Sequence, residues 1–353
     1  MPANNNKKAQ KTLIFGLGFV AILATVAGPA MAAEVNLYSE RQPFLMKPLL
    51  QAFTKETGIK VRMVYLKKGM VERLKAEGAN TPADLILTTD IGNLHNHARA
   101  GLLQKSFSPI LNANIAPKYR HPDGLWYGLT LRARVIFAHK DRVRPGEVTS
   151  YADLAKPHMK GRVCLRSGKH MYNISLLASI IAAEGEAAAT RWARGVKANL
   201  ARRPQGNDRA QVKAVYHGEC DVVLANTYYM GKMATNEKTP VQKKWAAAVN
   251  VIFPNQGDRG AHVNISGAGV AKSAKNKANA IKLIEFLSGD FAQRIYASQN
   301  FEYPVKASVA IDPLVKSWGQ FKADTINLEK IAKLRSTASK LVDKVRFNEG
   351  PGS

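Results

Sequence analysis

The first third of the chain alternates strand-like and helix-like segments, and this alternation limits the fold more than any other feature. Val35 to Tyr38 reads as a strand. Phe44, Leu45, Leu49, Leu50 and Phe53 fall on one face of a helix that ends at Gly58. Ile59 to Leu66 is strand-like, with Val61, Met63 and Tyr65 alternating, and Val71 and Leu74 begin a second helix that ends at Gly78. Leu85 to Leu87 is a short buried strand, after which Asp90 is placed to cap a helix running from Ile91 towards Ala100. Strands separated by helices pair in parallel, so the order predicts an α/β fold with helices on the faces of a sheet.

The middle changes character. Trp126 to His139 is a long β-rich stretch, able to carry the chain from one domain to another. A second α/β unit follows, with strands at Arg162 to Leu165 and Asp221 to Leu224. Between them lie Ala-rich helices from Ile174 to Leu200 and a helix from Asp208 to Tyr216. Ile265 to Ala271 is a glycine-spaced return strand, and Ala278 to Leu287 and Phe291 to Ala297 read as helices. Leu328 to Val345 reads as amphipathic helix, followed by a Glu-Gly-Pro-Gly-Ser tail that reads as disordered.

The N-terminus predicts export. Lys7, Lys8 and Lys11 precede an apolar run from Leu13 to Val26, and Ala30-Met31-Ala32 is a small-x-small cleavage site. This is the pattern of a secretory leader over residues 1–32, with a mature chain starting near Ala33; a retained anchor is the alternative. The remainder is long enough for two domains. The formal net charge of +26 is scattered, with no run of Lys and Arg interleaved with aromatics, so it does not indicate a nucleic-acid partner. The two cysteines, Cys164 and Cys220, lie on strand-like runs. An exported setting permits a disulfide between them; two buried free thiols are the other reading.

Tyr228 and Tyr229 stand side by side just after the apolar run Asp221 to Ala225, where a strand opens into a loop or helix. In open α/β sheets ligands bind at such strand ends. Tyr172 follows another strand-like run. Tyrosines of this kind also serve as half-buried core residues. Three phenol oxygens converging on one cleft would instead suit a hard, highly charged cation, for which ferric iron is the natural candidate. His95 and His97 are two apart, a spacing that does not share a helix face, and read as surface residues. His170 reads as an outer neighbour of Tyr172. No Ser-His-Asp signature, phosphate loop or HExxH run supports catalysis.

Several segments together resemble periplasmic ferric-iron-binding proteins, the substrate-binding subunits of iron ABC transporters. They are Asn-Leu-Tyr-Ser-Glu-Arg-Gln (36 to 42), Pro-Ala-Asp-Leu-Ile-Leu-Thr-Thr-Asp (82 to 90) and Trp-Tyr-Gly-Leu-Thr-Leu-Arg-Ala-Arg (126 to 134), with Arg-Ser-Gly-Lys-His-Met-Tyr-Asn (166 to 173), Gly-Glu-Cys-Asp (218 to 221) and Asn-Thr-Tyr-Tyr (226 to 229). The resemblance covers nearly all of the mature chain. It implies two α/β lobes joined by crossing strands with a ligand cleft between them: 33–130 and a return at 258–306 in the first lobe, 131–257 in the second, helices over 307–347 and a tail at 348–353. The hinge would lie near Thr130 to Val135 and Pro254 to Gly257.

It also implies that Tyr172, Tyr228 and Tyr229 are ferric-iron ligands. Some relatives add a His or Tyr after the first strand, where this chain has Gln42-Pro43. Carbonate, another anion or water would then complete the site. Arg41 and Arg132 are the candidate anion contacts, with a surface or structural role as the alternative. Gln42 is a weak contact, and Lys232 an outer charge. The expected protein is a periplasmic monomer that hands iron to an inner-membrane permease. The competing readings are a polyamine or thiamine binder and an extracellular enzyme.

Overall fold

The structure is a computed structural model that describes residues 1–4 and 33–352. All but the first four residues of the expected leader lie outside the described residues. The first elements are β1 (Glu34–Ser39), α1 (Pro43–Thr57), β2 (Lys60–Tyr65), α2 (Met70–Glu77), β3 (Leu85–Thr88), α3 (Ile91–Arg99), α4 (Pro109–Asn114) and β4 (Tyr127–His139). The middle of the chain forms β5 (Val163–Cys164), α5 (Met171–Ala198), α6 (Asp208–Tyr216), β6 (Val222–Asn226), α7 (Thr227–Ala234), α8 (Val241–Ala247) and β7 (Val249–Ile252). The remainder is β8 (Val263–Val270), α9 (Lys277–Ser288), α10 (Asp290–Asn300), β9 (Tyr303–Pro304), α11 (Pro313–Lys316), α12 (Leu328–Lys333) and α13 (Arg335–Lys344). No helix among the described residues is long and apolar enough to cross a membrane.

The sheet order is β2-β1-β3-β8-β4-β6-β5, with β7 and β9 also on β4. β1 pairs in parallel with both β2 and β3, as the strand–helix alternation predicts. β4 is the crossing strand. Its first half, Tyr127 to Ala133, runs antiparallel to β8, and its second half, Arg134 to His139, pairs with β6 and β7. Gly267 explains one of the glycines of β8: a Cβ there would lie 2.5 Å from the Tyr127 carbonyl, so only hydrogen lets the two crossing strands pair this closely.

The period-2 rule distributes β4 and β6 between two cores. Ile136 and Ala138 of β4, with Val222 and Leu224 of β6, join the larger cluster built around β1, β3 and the flanking helices. Ala133, Val135 and Phe137, with Val223 and Ala225, face a second cluster that contains Cys164, Val212 and Met233. Both faces of these strands are therefore covered, which explains their uninterrupted apolar runs. The result is the two-lobed α/β architecture of periplasmic binding proteins.

Three expectations are corrected. His95 and His97 are buried, at 7% and 1% exposure, rather than on the surface. Their spacing does place the rings on different faces of α3, but α12 and β8 both pack on that helix, so each face is covered. Burial lowers both imidazole pKa values. The C-terminal amphipathic stretch is broken at Leu334 into α12 and α13, which turns Arg335 in towards Asp90 and Ser175. The tail is not disordered throughout: Asn348 accepts from the Gly168 N–H at 2.8 Å, and Gly350 is buried.

Cys164 and Cys220 form a disulfide that closes a loop of 56 residues. Constraining a loop of that length in the unfolded chain contributes about 4 kcal/mol. Replacing both cysteines by alanine should lower the urea-derived unfolding free energy by roughly that amount. A change under about 1 kcal/mol would show that the unfolded chain is already constrained there.

Candidate metal centre

β5 and β6 pair in parallel, so their C-terminal ends open on one side of the sheet. Tyr172 occupies the second position of α5, which starts soon after β5. Tyr228 and Tyr229 occupy the second and third positions of α7, which starts directly after β6. Both helices therefore deliver their tyrosines to one spot, the floor of a cleft of ≈ 430 Å³. The Tyr172 and Tyr228 hydroxyls are 3.0 Å apart. The Tyr228 and Tyr229 rings lie 4.4 Å apart at their centroids.

The environment favours the neutral form of Tyr228 and Tyr229. Burial and the adjacent tyrosines hold the Tyr228 hydroxyl well above its usual pKa. Burial, followed by the proximity of Tyr172, pushes Tyr229 up to about 12. His170 caps α5: its Nδ1 accepts the Tyr172 N–H at 3.3 Å, and its ring packs edge-on against Tyr172. Burial and then Arg166 push the imidazole down to about 4, so the ring is neutral, and the bond from the Tyr172 N–H calls for the tautomer with its proton on Nε2.

The rest of the cleft wall carries four cationic side chains, Arg41, Arg132, Arg209 and Lys232, and two carboxylates, Glu40 and Glu302. Arg41 is 6% exposed and paired with Glu302 at 2.9 Å. It also donates to Ser266 Oγ at 2.7 Å. Burial alone would lower the Arg41 pKa, but Glu302 together with Tyr296 and Tyr228 outweighs it and the net direction is upward. Arg132 donates to Ser266 Oγ at 3.1 Å and to the Thr89 carbonyl, and among the described residues it meets no carboxylate. Lys232 lies one turn beyond Tyr228 on α7 and lines the cleft; burial, then the nearby Arg41 and Arg209, lowers its pKa. Gln42 is exposed at the start of α1, with no side-chain capping bond, and also lines the cleft.

All seven residues expected at the site therefore reach this one cleft. Sequence reading missed Arg209, whose guanidinium lies 5.6 Å from the Tyr229 ring centroid. It also missed Ser266 and Glu302, which hold Arg41 from far along the chain. Arg209 follows an aspartate at a helix start, an ordinary surface pattern, and gave no local signal. Glu302 and Ser266 meet Arg41 only through the tertiary fold.

Residues 80–331 match the family model described as bacterial extracellular solute-binding protein. The chain belongs to this family. Among its relatives, the iron uptake protein A1 of Synechocystis is 47% identical, over 90% of this chain and 88% of its own. The ferric iron-binding protein A of Mannheimia haemolytica, solved in an open conformation, superposes with a TM-score of 0.85 at 51% identity, covering 90% of this chain and 99% of its own. The Trichodesmium protein solved in complex with iron and citrate ligands gives a TM-score of 0.86 at 44% identity, over 89% and 100% of the two chains. These neighbours carry the same two-lobed fold as this solute-binding protein.

The seating of α7 depends on Gly231, where a Cβ would lie 2.2 Å from Phe301 Cγ. In an open helix, Gly→Ala would stabilise by about 1 kcal/mol. Here the overpacking should dominate, and Gly231→Ala should lower stability by roughly 1–3 kcal/mol in urea unfolding. A stabilised variant would mean that α7 is not fixed against Phe301.

Proposed function

We propose that this solute-binding protein captures ferric iron in the periplasm and passes it to the permease of an inner-membrane ABC transporter. One observation carries the reading: phenols from two helices converge on the floor of a cleft whose walls hold more cations than free anions. A hard trication prefers anionic oxygen donors. Three phenolates from Tyr172, Tyr228 and Tyr229 would balance its charge. The names of the relatives, an iron uptake protein and ferric iron-binding proteins, support the same cargo.

The tyrosines would be the protein ligands, and an exogenous anion would complete the shell, since Gln42 supplies no charged donor. Carbonate or a carboxylate such as the citrate found with the Trichodesmium protein fits that role. Arg132, Lys232 and Arg209 have no carboxylate partner within ion-pair distance among the described residues, and would offset the added negative charge. Arg presents a planar fork suited to an oxyanion. Arg41 is already engaged by Glu302, so its part would be to shape the wall and to join an anion on closure.

A polyamine binder would need acidic anchors. The two carboxylates of the cleft are occupied, Glu302 by Arg41 and Glu40 by Asn93 and Thr89. Lobes at 33–130 with 258–306 and at 131–257 would close about β4 and its neighbours, with the protein working as a monomer after loss of residues 1–32.

Purified protein loaded with ferric iron should show a visible phenolate-to-iron band. Tyr172→Phe, Tyr228→Phe and Tyr229→Phe should each weaken the band and the affinity; three single variants that match the parent in both would rule out the ligand set. Acid should release the metal. Burial holds the Tyr228 and Tyr229 hydroxyls protonated near neutral pH, so each iron bound displaces protons, and lower pH favours the empty form. Chelator competition should give an affinity that falls steadily from pH 8 to pH 5, whereas a flat profile would contradict phenolate ligation.

A further inference from the structure

We infer that Asp208 is the positioning residue that holds the two tyrosine-bearing helices in register, an inference that rests on Tyr172, Tyr228 and Tyr229 being the iron ligands. Asp208 opens α6 and is fully buried. Its Oδ2 accepts from Arg134 Nη1 at 2.6 Å and from the Asn226 backbone N–H at 3.1 Å. Its Oδ1 accepts from Arg166 Nη1 at 3.0 Å.

Each partner leads to a ligand helix. Asn226 is the cap residue of α7, two positions before Tyr228, and its Oδ1 accepts a second bond from Arg134 at 3.2 Å. The other arm of Arg134 donates to Asn173 Oδ1 at 2.8 Å, and Asn173 is the residue after Tyr172. Asn173 Nδ2 then donates to the Arg166 and Ser167 carbonyls, both at 3.1 Å, and so fixes the loop entering α5. The two guanidiniums that share Asp208 also lie against the Tyr172 ring, at 5.7 and 5.3 Å from its centroid. One carboxylate therefore ties the first turn of α5 to the first turn of α7.

A buried ionic network of this kind adds little net stability compared with apolar packing. The second apolar core continues right beside it through Val212, Val223 and Ala225, so packing alone was available at this place. What the network supplies is fixed geometry. Ligands for a small trication must be held to within a fraction of an ångström by their supporting shell.

The test is a mutant cycle read on iron itself. Asp208→Asn keeps the shape of the side chain and one acceptor while removing the charge. With circular dichroism confirming the fold, it should weaken ferric-iron affinity by about 10- to 100-fold in chelator competition, the range for loss of a ligand's support. In a Tyr172→Phe background the same substitution should cost clearly less than in the parent, because one of the ligands whose mutual placement it fixes is already gone. Equal losses in both backgrounds, or no loss in the parent, would overturn the inference. Should Asp208→Asn fail to fold, Asn173→Ala cuts only the link to α5 and is judged by the same two comparisons. If Tyr172→Phe itself matches the parent in colour and affinity, the ligand reading fails and the positioning role fails with it. If Tyr172→Phe loses both while Asp208→Asn and Asn173→Ala match the parent, the positioning role alone fails.

Discussion

The contact on which the site depends is the approach of the Tyr172 and Tyr228 hydroxyls to 3.0 Å. Two neutral phenols share a hydrogen bond at that distance, but two phenolates would repel each other strongly in a half-buried cleft. Both can ionise together only if a cation enters between them. The raised pKa values of Tyr228 and Tyr229 express the same constraint from the metal-free side.

That gathering is a consequence of β4. One strand pairs with β8 in its first half and with β6 and β7 in its second, so the wall carrying Arg132 and the floor carrying Tyr228 are referred to the same backbone. Arg134, next on β4 but one from Arg132, faces the buried Asp208 and the ligand helices. Arg132 instead reaches across to Thr89 and Ser266. Two apart on one strand, the two arginines leave the same face, and they diverge along its length to reach different partners.

Much of this was readable because it is local. The strand–helix alternation of residues 35–100, the crossing stretch at 126–139 and the tyrosines at two strand ends all follow from periodicity within short windows. Cys164 and Cys220 could be suspected from their strand positions, and their pairing follows from the adjacency of β5 and β6. What stayed hidden was long-range. Nothing near His95 or His97 announces that α12, over two hundred residues later, will cover their helix. The salt bridge from Arg41 to Glu302 spans most of the chain, and no local signal in the sequence announces it. Asp208 stood out only as the first residue of a helix, since its partners arrive from β4, β5's outgoing loop and β6.

Resonance Raman spectroscopy, excited within the visible band of the iron-loaded protein, tests the central claim most directly, because it reports which side chains are bonded to the metal. The account predicts enhanced tyrosinate ring modes that shift when the protein is grown with ring-deuterated tyrosine. Bound ferric iron with no tyrosinate modes, or modes insensitive to that label, would contradict it.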